Sequence, residues 1–187
     1  MFDDATLPPE HRRFVSYWDD KRAGRPLPAR RDADPLVDLA ELAPFLGIMR
    51  PENGRIFYTV LGAGIEEAGG PRTGTYLDTT RQPPFLDYLK AMFALCMDKR
   101  ACVLTRHGFE YGGGKIGRTA RAIVPLSEDG ASVDAFLGLQ VSRDDAGEVL
   151  PPAWNRTPTF PDALLTDMAW RDAAAAWHPV AWRTIQT

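Results

Sequence analysis

Three histidines, two cysteines, a few serines and a glycine-rich turn are the residues from which this 187-residue chain would build chemistry. His11, His107 and His178 fall in separate segments, without the short spacing that presents two metal ligands from one turn or helix. No metal site is expected from them. Haem needs only one axial histidine, and His107, in a strand-like run, is the one candidate. A lone strand histidine is more often structural, so haem is not supported. Cys96 and Cys102 form no C-x-x-C pair, and Cys96 sits at the apolar spacing of a core residue. Ser127 and Ser132 lie in a turn and Ser16 in a helical stretch, and no nucleophile elbow is present. Glu66 and Glu67 are adjacent, so on a helix they diverge by roughly 100° and cannot converge on one bond. No catalytic constellation results, and a non-enzymatic role is expected.

The glycine-rich turn invites comparison with a dinucleotide site. Gly62 and Gly64 suit G-x-G-x-x-G, but Glu67 stands where a third small residue must let helix and strand pack closely. Nor does a βαβ series follow. A P-loop fits no better, because Lys115 is followed by Ile116 rather than Ser or Thr.

Composition narrows the remaining classes. A chain with 44% hydrophobic and 25% charged residues is ordinary for a globular domain long enough to bury a core. Its net charge of -3 gives no electrostatic drive toward nucleic acid. The basic residues Lys21, Arg22, Arg25, Arg30 and Arg31 are interleaved with Asp19, Asp20, Asp32 and Asp34, as on a balanced surface. No apolar run approaches the ~20 residues of a membrane span, and no secretion signal is legible at the N-terminus. A cytoplasmic protein, with neither nucleic acid nor membrane as partner, is expected.

The elements follow from periodicity. Residues 8–23 read as an amphipathic helix with His11, Phe14, Val15, Trp18 and Arg22 on one face. A proline-stiffened linker reaches Asp34, a good N-cap before Pro35 at the first helical position. Strands are predicted over 45–49 and 55–61, joined by an Asn-Gly turn. A helix over 84–98 carries Phe85, Leu89, Met92, Phe93 and Cys96 on one face. Three further strands, over 101–111, 115–126 and 132–143, are joined by Gly112-Gly113-Gly114 and an Asp-Gly turn. Beyond them lie four of the five tryptophans, and the alanines at 173–176 predict a helix over 161–177. That helix either packs back on the domain or offers aromatic surface to a partner.

One stretch carries a family resemblance. The apolar run at 57–61 stops at Gly62, and a helical pattern begins with Ala63, Ile65, Glu66 and Glu67. Gly69-Gly70-Pro71 then breaks it, and Thr73-Gly74-Thr75-Tyr76-Leu77 follows. This resembles the centre of a PAS domain, and most closely a bacterial PAS family that reads arginine-tyrosine-arginine-leucine-valine-glycine-threonine, a helix, then threonine-glycine. The spacing of Gly24, Arg25, Pro28, Arg30, Asp32, Asp34 and Pro35 is similar to the same family. The resemblance covers roughly residues 10–143.

It implies an α+β fold: a five-stranded antiparallel sheet with helices on one face, an N-terminal flanking helix and a C-terminal extension. The expected parts are a helix and linker at 1–34, a PAS-like domain at 35–143 and a tryptophan-rich extension at 144–187. The implied role is a stand-alone sensory or regulatory module that binds an unidentified small molecule and signals through a protein partner. Flavin bound through a cysteine would need an asparagine-cysteine-arginine motif, which neither cysteine has. The cofactor stays open.

A PAS cavity lies between sheet and helices, so the resemblance nominates Tyr58, Tyr76, Phe85, Tyr88, Met92, Phe109, Arg118 and Phe136 as its lining. Arg118 alternates with Ile116, Ala120, Ala122 and Val124; on the pocket side it would hold a carboxylate or phosphate, and on the other it would meet an acid or solvent. Flanking helices of this kind often dimerise, which nominates Phe14, Val15 and Trp18 as a homodimer interface; the alternative is that they cover the domain's own sheet. A ligand-free interaction scaffold and a small enzyme acting on a hydrophobic acid are the competing functions.

Overall fold

The computed structural model describes residues 2–150 and 158–185. Helix α1 (Pro9–Arg22) starts where a missing proline N–H costs nothing and ends as Ala23 turns left-handed, φ 49°. A single-turn α2 (Pro35–Asp38) and a 3-10 segment lead into β1 (Leu46–Glu52). Asn53 and Gly54, at φ 52° and 75°, fold the chain back into β2 (Arg55–Leu61), a backbone path that favours asparagine and glycine. Next come α3 (Ala63–Gly69), α4 (Leu77–Thr80) and α5 (Phe85–Lys99). The chain returns through β3 (Cys102–Tyr111), β4 (Lys115–Leu126) and β5 (Ala135–Arg143).

The fold is α+β, but the sheet has seven strands rather than five, in the antiparallel order β2-β1-β5-β4-β3-β6-β7. The added strands are β6 (Leu165–Arg171), inside the stretch expected to be helical, and β7 (Trp177–Pro179), which begins where that stretch ends. Tertiary pairing overrides local propensity here. Without β6, the ten-residue β3 would be an open edge; β6 pairs with it from Cys102–Arg171 to His107–Leu165. The alanine run becomes the turn between β6 and β7. Ala175 is left-handed there, and the Asp172 carboxylate accepts from the N–H groups of Ala174 and Ala176 at 2.9 Å each. Trp182 locks the tail down by donating its indole N–H to the Leu165 carbonyl at 2.8 Å. Residues 158–185 therefore pack on the domain; Trp154, also counted in the extension, lies outside the described residues.

Both faces of the sheet are covered. On one, Phe14, Val15 and Trp18 of α1 are buried against Leu104, Ala122, Val124, Leu137 and Leu139. Trp18 also donates its indole N–H to the Pro125 carbonyl at 2.8 Å. The expectation that these three side chains form a dimer interface is corrected: a lone amphipathic helix must bury its stripe, and this one does so on its own sheet. On the other face α5 lays Leu89, Met92, Phe93 and Cys96 against Val103, Ile123, Phe136 and Met168. Among the described residues no helix is long and apolar enough to cross a membrane.

Candidate functional site

The register of the central strands places three rows of side chains under α3 and α5. Val103, Ile123, Gly138 and Gly47 form an apolar row, with Ile123 opposite Gly138 and Gly138 opposite Gly47. Two residues along, Thr105, Arg121 and Gln140 make a second row. His107, Thr119 and Ser142 make a third. Alternation along a strand puts all three on one face. The sheet thus grades from apolar to cationic to hydrogen-bonding over about 14 Å, at roughly 7 Å between rows.

Two further arginines arrive from the helical side. Arg72, 6% exposed, donates to the carbonyls of Ile65 at 2.8 Å and Gly70 at 3.3 Å. The C-terminal end of α3 thus faces the cation with its carbonyls, the favourable end of a helix for positive charge. Glu66 shapes that loop, accepting from the backbone N–H groups of Arg72 and Thr73 at 3.0 and 2.7 Å, and those bonds hold its carboxyl below the usual range. Arg81 follows α4. A side chain at Gly69 would put its Cβ 2.5 Å from Arg72 Nη2 and 3.1 Å from Arg81 Nη2, so glycine there lets both guanidinium groups approach.

Arg72, Arg81 and Arg121 line two adjoining compartments of about 40 and 20 Å³, which also share Ile65 and Gln140. The larger is walled by Met49, Tyr58, Leu61, Leu89, Met92 and Ile123; the smaller by Phe85, His107, Phe109, Thr119 and Ser142. Among the described residues neither lining includes an Asp or Glu. Arg121 donates through Nη2 to Gln140 Oε1 at 2.7 Å, but its Nη1 is buried without a partner, as is Arg81 Nε. The Phe85 ring lies 5.8 Å from each guanidinium. Burial, and then the repulsion of neighbouring arginines, pushes both Arg81 and Arg121 down to about 10.

His107 completes the polar end. It is 3% exposed, neither ring nitrogen has a hydrogen-bond partner, and the rings of Phe85 and Tyr88 stand 5.2 and 5.6 Å away. Burial first, then Arg121 and Arg81, keep its pKa well below the ordinary histidine value, so it stays neutral. Beside it the hydroxyls of Thr119 and Ser142 bond each other at 2.9 Å. Such a cluster can hold an anion through fixed guanidinium donors, but no nucleophile is paired with a base in it. Among the described residues no group of three His, Cys, Asp or Glu could hold a metal ion.

The residues nominated from the sequence scatter. Tyr58 and Met92 line the larger compartment, and Phe85 and Phe109 the smaller. Tyr88 is fully buried as a pillar, donating its hydroxyl to the Asp167 carbonyl at 2.8 Å. Phe136 is core, edge-on to Phe93 at 5.1 Å. Tyr76 is placed outside the cleft, bonded to Glu52 at 2.7 Å. Arg118 is on the wrong face for the cleft: Ala122 and Val124, with which it alternates, pack toward α1. Its own side chain is 72% exposed, 3.9 Å from Asp145. The β4 arginine that lines the cleft is Arg121, three residues further along the same strand. Its alternation with Thr119 and Ile123 was the available signal; Arg72 and Arg81, in irregular segments, gave none.

No family model matches the chain, and neither a curated protein nor a solved structure does.

Proposed function

We propose that this protein is a PAS-type regulatory module whose sheet–helix cleft binds a small anion and whose occupancy alters association with a protein partner. The observation that carries the anion reading is the convergence of Arg72, Arg81 and Arg121 on compartments without a carboxylate, with guanidinium N–H groups left unpartnered. A buried cation without a counter-ion is costly, and proteins keep such groups where a ligand completes them. The PAS part rests on the motif around Gly62–Leu77 and on a long helix, α5, laid across an antiparallel sheet above the cleft. A cytoplasmic location and a homodimer belong to the same reading, with any dimer formed by surfaces other than Phe14, Val15 and Trp18.

Thermal unfolding with added acetate, butyrate or inorganic phosphate tests it. A bound anion at about 100 times its Kd stabilises by roughly 2.7 kcal/mol, which raises Tm by about 5–10 °C in a chain of this size. Arg121→Gln is expected to remove that response. A panel in which no anion shifts Tm, or in which Arg121→Gln responds like the wild type, overturns the anion reading.

A further inference from the structure

Which anion would suit the cleft is written in the order of the rows. An inorganic oxyanion would satisfy the guanidinium groups of Arg81 and Arg121 and leave the larger compartment, walled by Met49, Leu61, Leu89, Met92 and Ile123, with nothing in it. Gly138 and Gly47, which face each other across β5 and β1 in the row immediately next to Arg121 and Gln140, form part of its floor. A Cβ at Gly47 would lie 2.8 Å from Leu61 Cδ2 and 3.2 Å from Met49 Sδ, and one at Gly138 3.1 Å from Met49 Cε, so the glycines make room for those flexible side chains and the compartment is the space they leave. Its volume of about 40 Å³ corresponds to about three water-sized groups, at ~10–15 Å³ each. Its two methionines are flexible enough to close around a short chain.

Resting on the anion reading above, we infer that the ligand is a short aliphatic carboxylate. Its carboxylate is held by Arg81 and Arg121, and its apolar chain lies in the larger compartment among Met49, Leu89, Met92 and Ile123. Arg121 is pre-set for this. Gln140 fixes one of its Nη groups and leaves Nη1 for the ligand, while the Phe85 ring packs over the guanidinium. An acid of about four carbons, its head at the cationic row, reaches with its methyl part of the way to the apolar row, which lies roughly 7 Å off.

Isothermal titration with acetate, butyrate, octanoate and inorganic phosphate decides the matter. Each buried methylene is expected to tighten binding about fourfold, so butyrate should bind about 15-fold more tightly than acetate. Octanoate, too long for the compartment, should lose that gain. Gly138→Ala supplies the matched control. The added Cβ would lie 3.1 Å from Met49 Cε, a flexible end that must then move within the compartment it lines. Butyrate should weaken at least fivefold in that variant while acetate keeps its affinity. The wild-type chain-length series stands even if the variant does not fold. Phosphate or acetate binding as tightly as butyrate, with the response lost in Arg121→Gln, overturns the short-chain acid and leaves the anion site standing. No binding by any of the four removes both.

Discussion

Arg171 and Arg121 are both taken out of water by the same sheet, from opposite faces, and are treated differently there. Arg171, 8% exposed on the α1 side, meets Asp4 through Nε at 3.1 Å and Nη2 at 2.8 Å, and Asp19 through Nη1 at 2.8 Å. The Trp177 indole N–H donates to the same Asp4 carboxylate at 2.7 Å. Burial opposes the charge, yet the two carboxylates outweigh it and the Arg171 pKa is raised. Arg121 receives one neutral amide oxygen and is pushed down to about 10. The chain has 25 acidic residues against 22 basic ones, so it is not short of counter-ions. They are absent from one place, and that place adjoins a cavity. The first arginine ties the N-terminal segment to the last long strand; the second is left with one neutral partner beside that cavity.

Substitution separates the two roles by sign. Arg171→Met takes the shared cation from Asp4 and Asp19, leaving Asp4 the Trp177 indole and Asp19 the Arg22 guanidinium. Breaking a fully buried pair costs roughly 3–5 kcal/mol, and because both acids partly reach solvent we expect a loss of about 2–3 kcal/mol in urea unfolding. Arg121→Met should do the reverse, stabilising the ligand-free protein by about 1–2 kcal/mol, as exchanging a buried charge for an apolar group often does. A loss of stability in Arg121→Met comparable to that of Arg171→Met would erase the contrast and make Arg121 a structural residue.

The smallest effect concerns His107, which Arg121, Arg81 and Tyr88 face together with the Phe85 and Phe160 rings. Its folded pKa is depressed well below 6.5, so the unfolded chain takes up a proton below that pH while the folded one does not. Stability should therefore fall as pH drops through 6.5, by about 1 kcal/mol at pH 5.5 for this group alone. His107→Phe should lack that loss and match the wild-type slope above about pH 7.5. Parallel profiles from pH 8 to 5 would show that the imidazole carries a partner in solution.

Much of the framework was legible because it is local. The periodicity of α1 and α5, the Asn53-Gly54 turn and the alternation of β3 to β5 each follow from neighbours in sequence. The tail was misread for the same reason. Ala173 to Ala176 favour a helix by themselves, and only the open edge of β3, some 60 residues earlier, makes the flanking residues a hairpin. Arg118 was misplaced because β4 carries apolar side chains on both faces, so that its alternation has two readings one residue apart.

By itself the sequence determined α1, α5 and the order of the five strands up to Arg143, but not α4, together with the apolar stripe that α1 must bury and the small residues at Gly47, Gly69 and Gly138. The tertiary structure decided which face of β4 meets the helices, and with it that Arg121 rather than Arg118 lies inside. It also brought Arg72, Arg81 and Arg121 together across as many as 49 positions and left acids out of their cleft. Strand alternation is a property of neighbouring residues, whereas the pairing or isolation of a buried charge depends on which distant segments the fold makes adjacent.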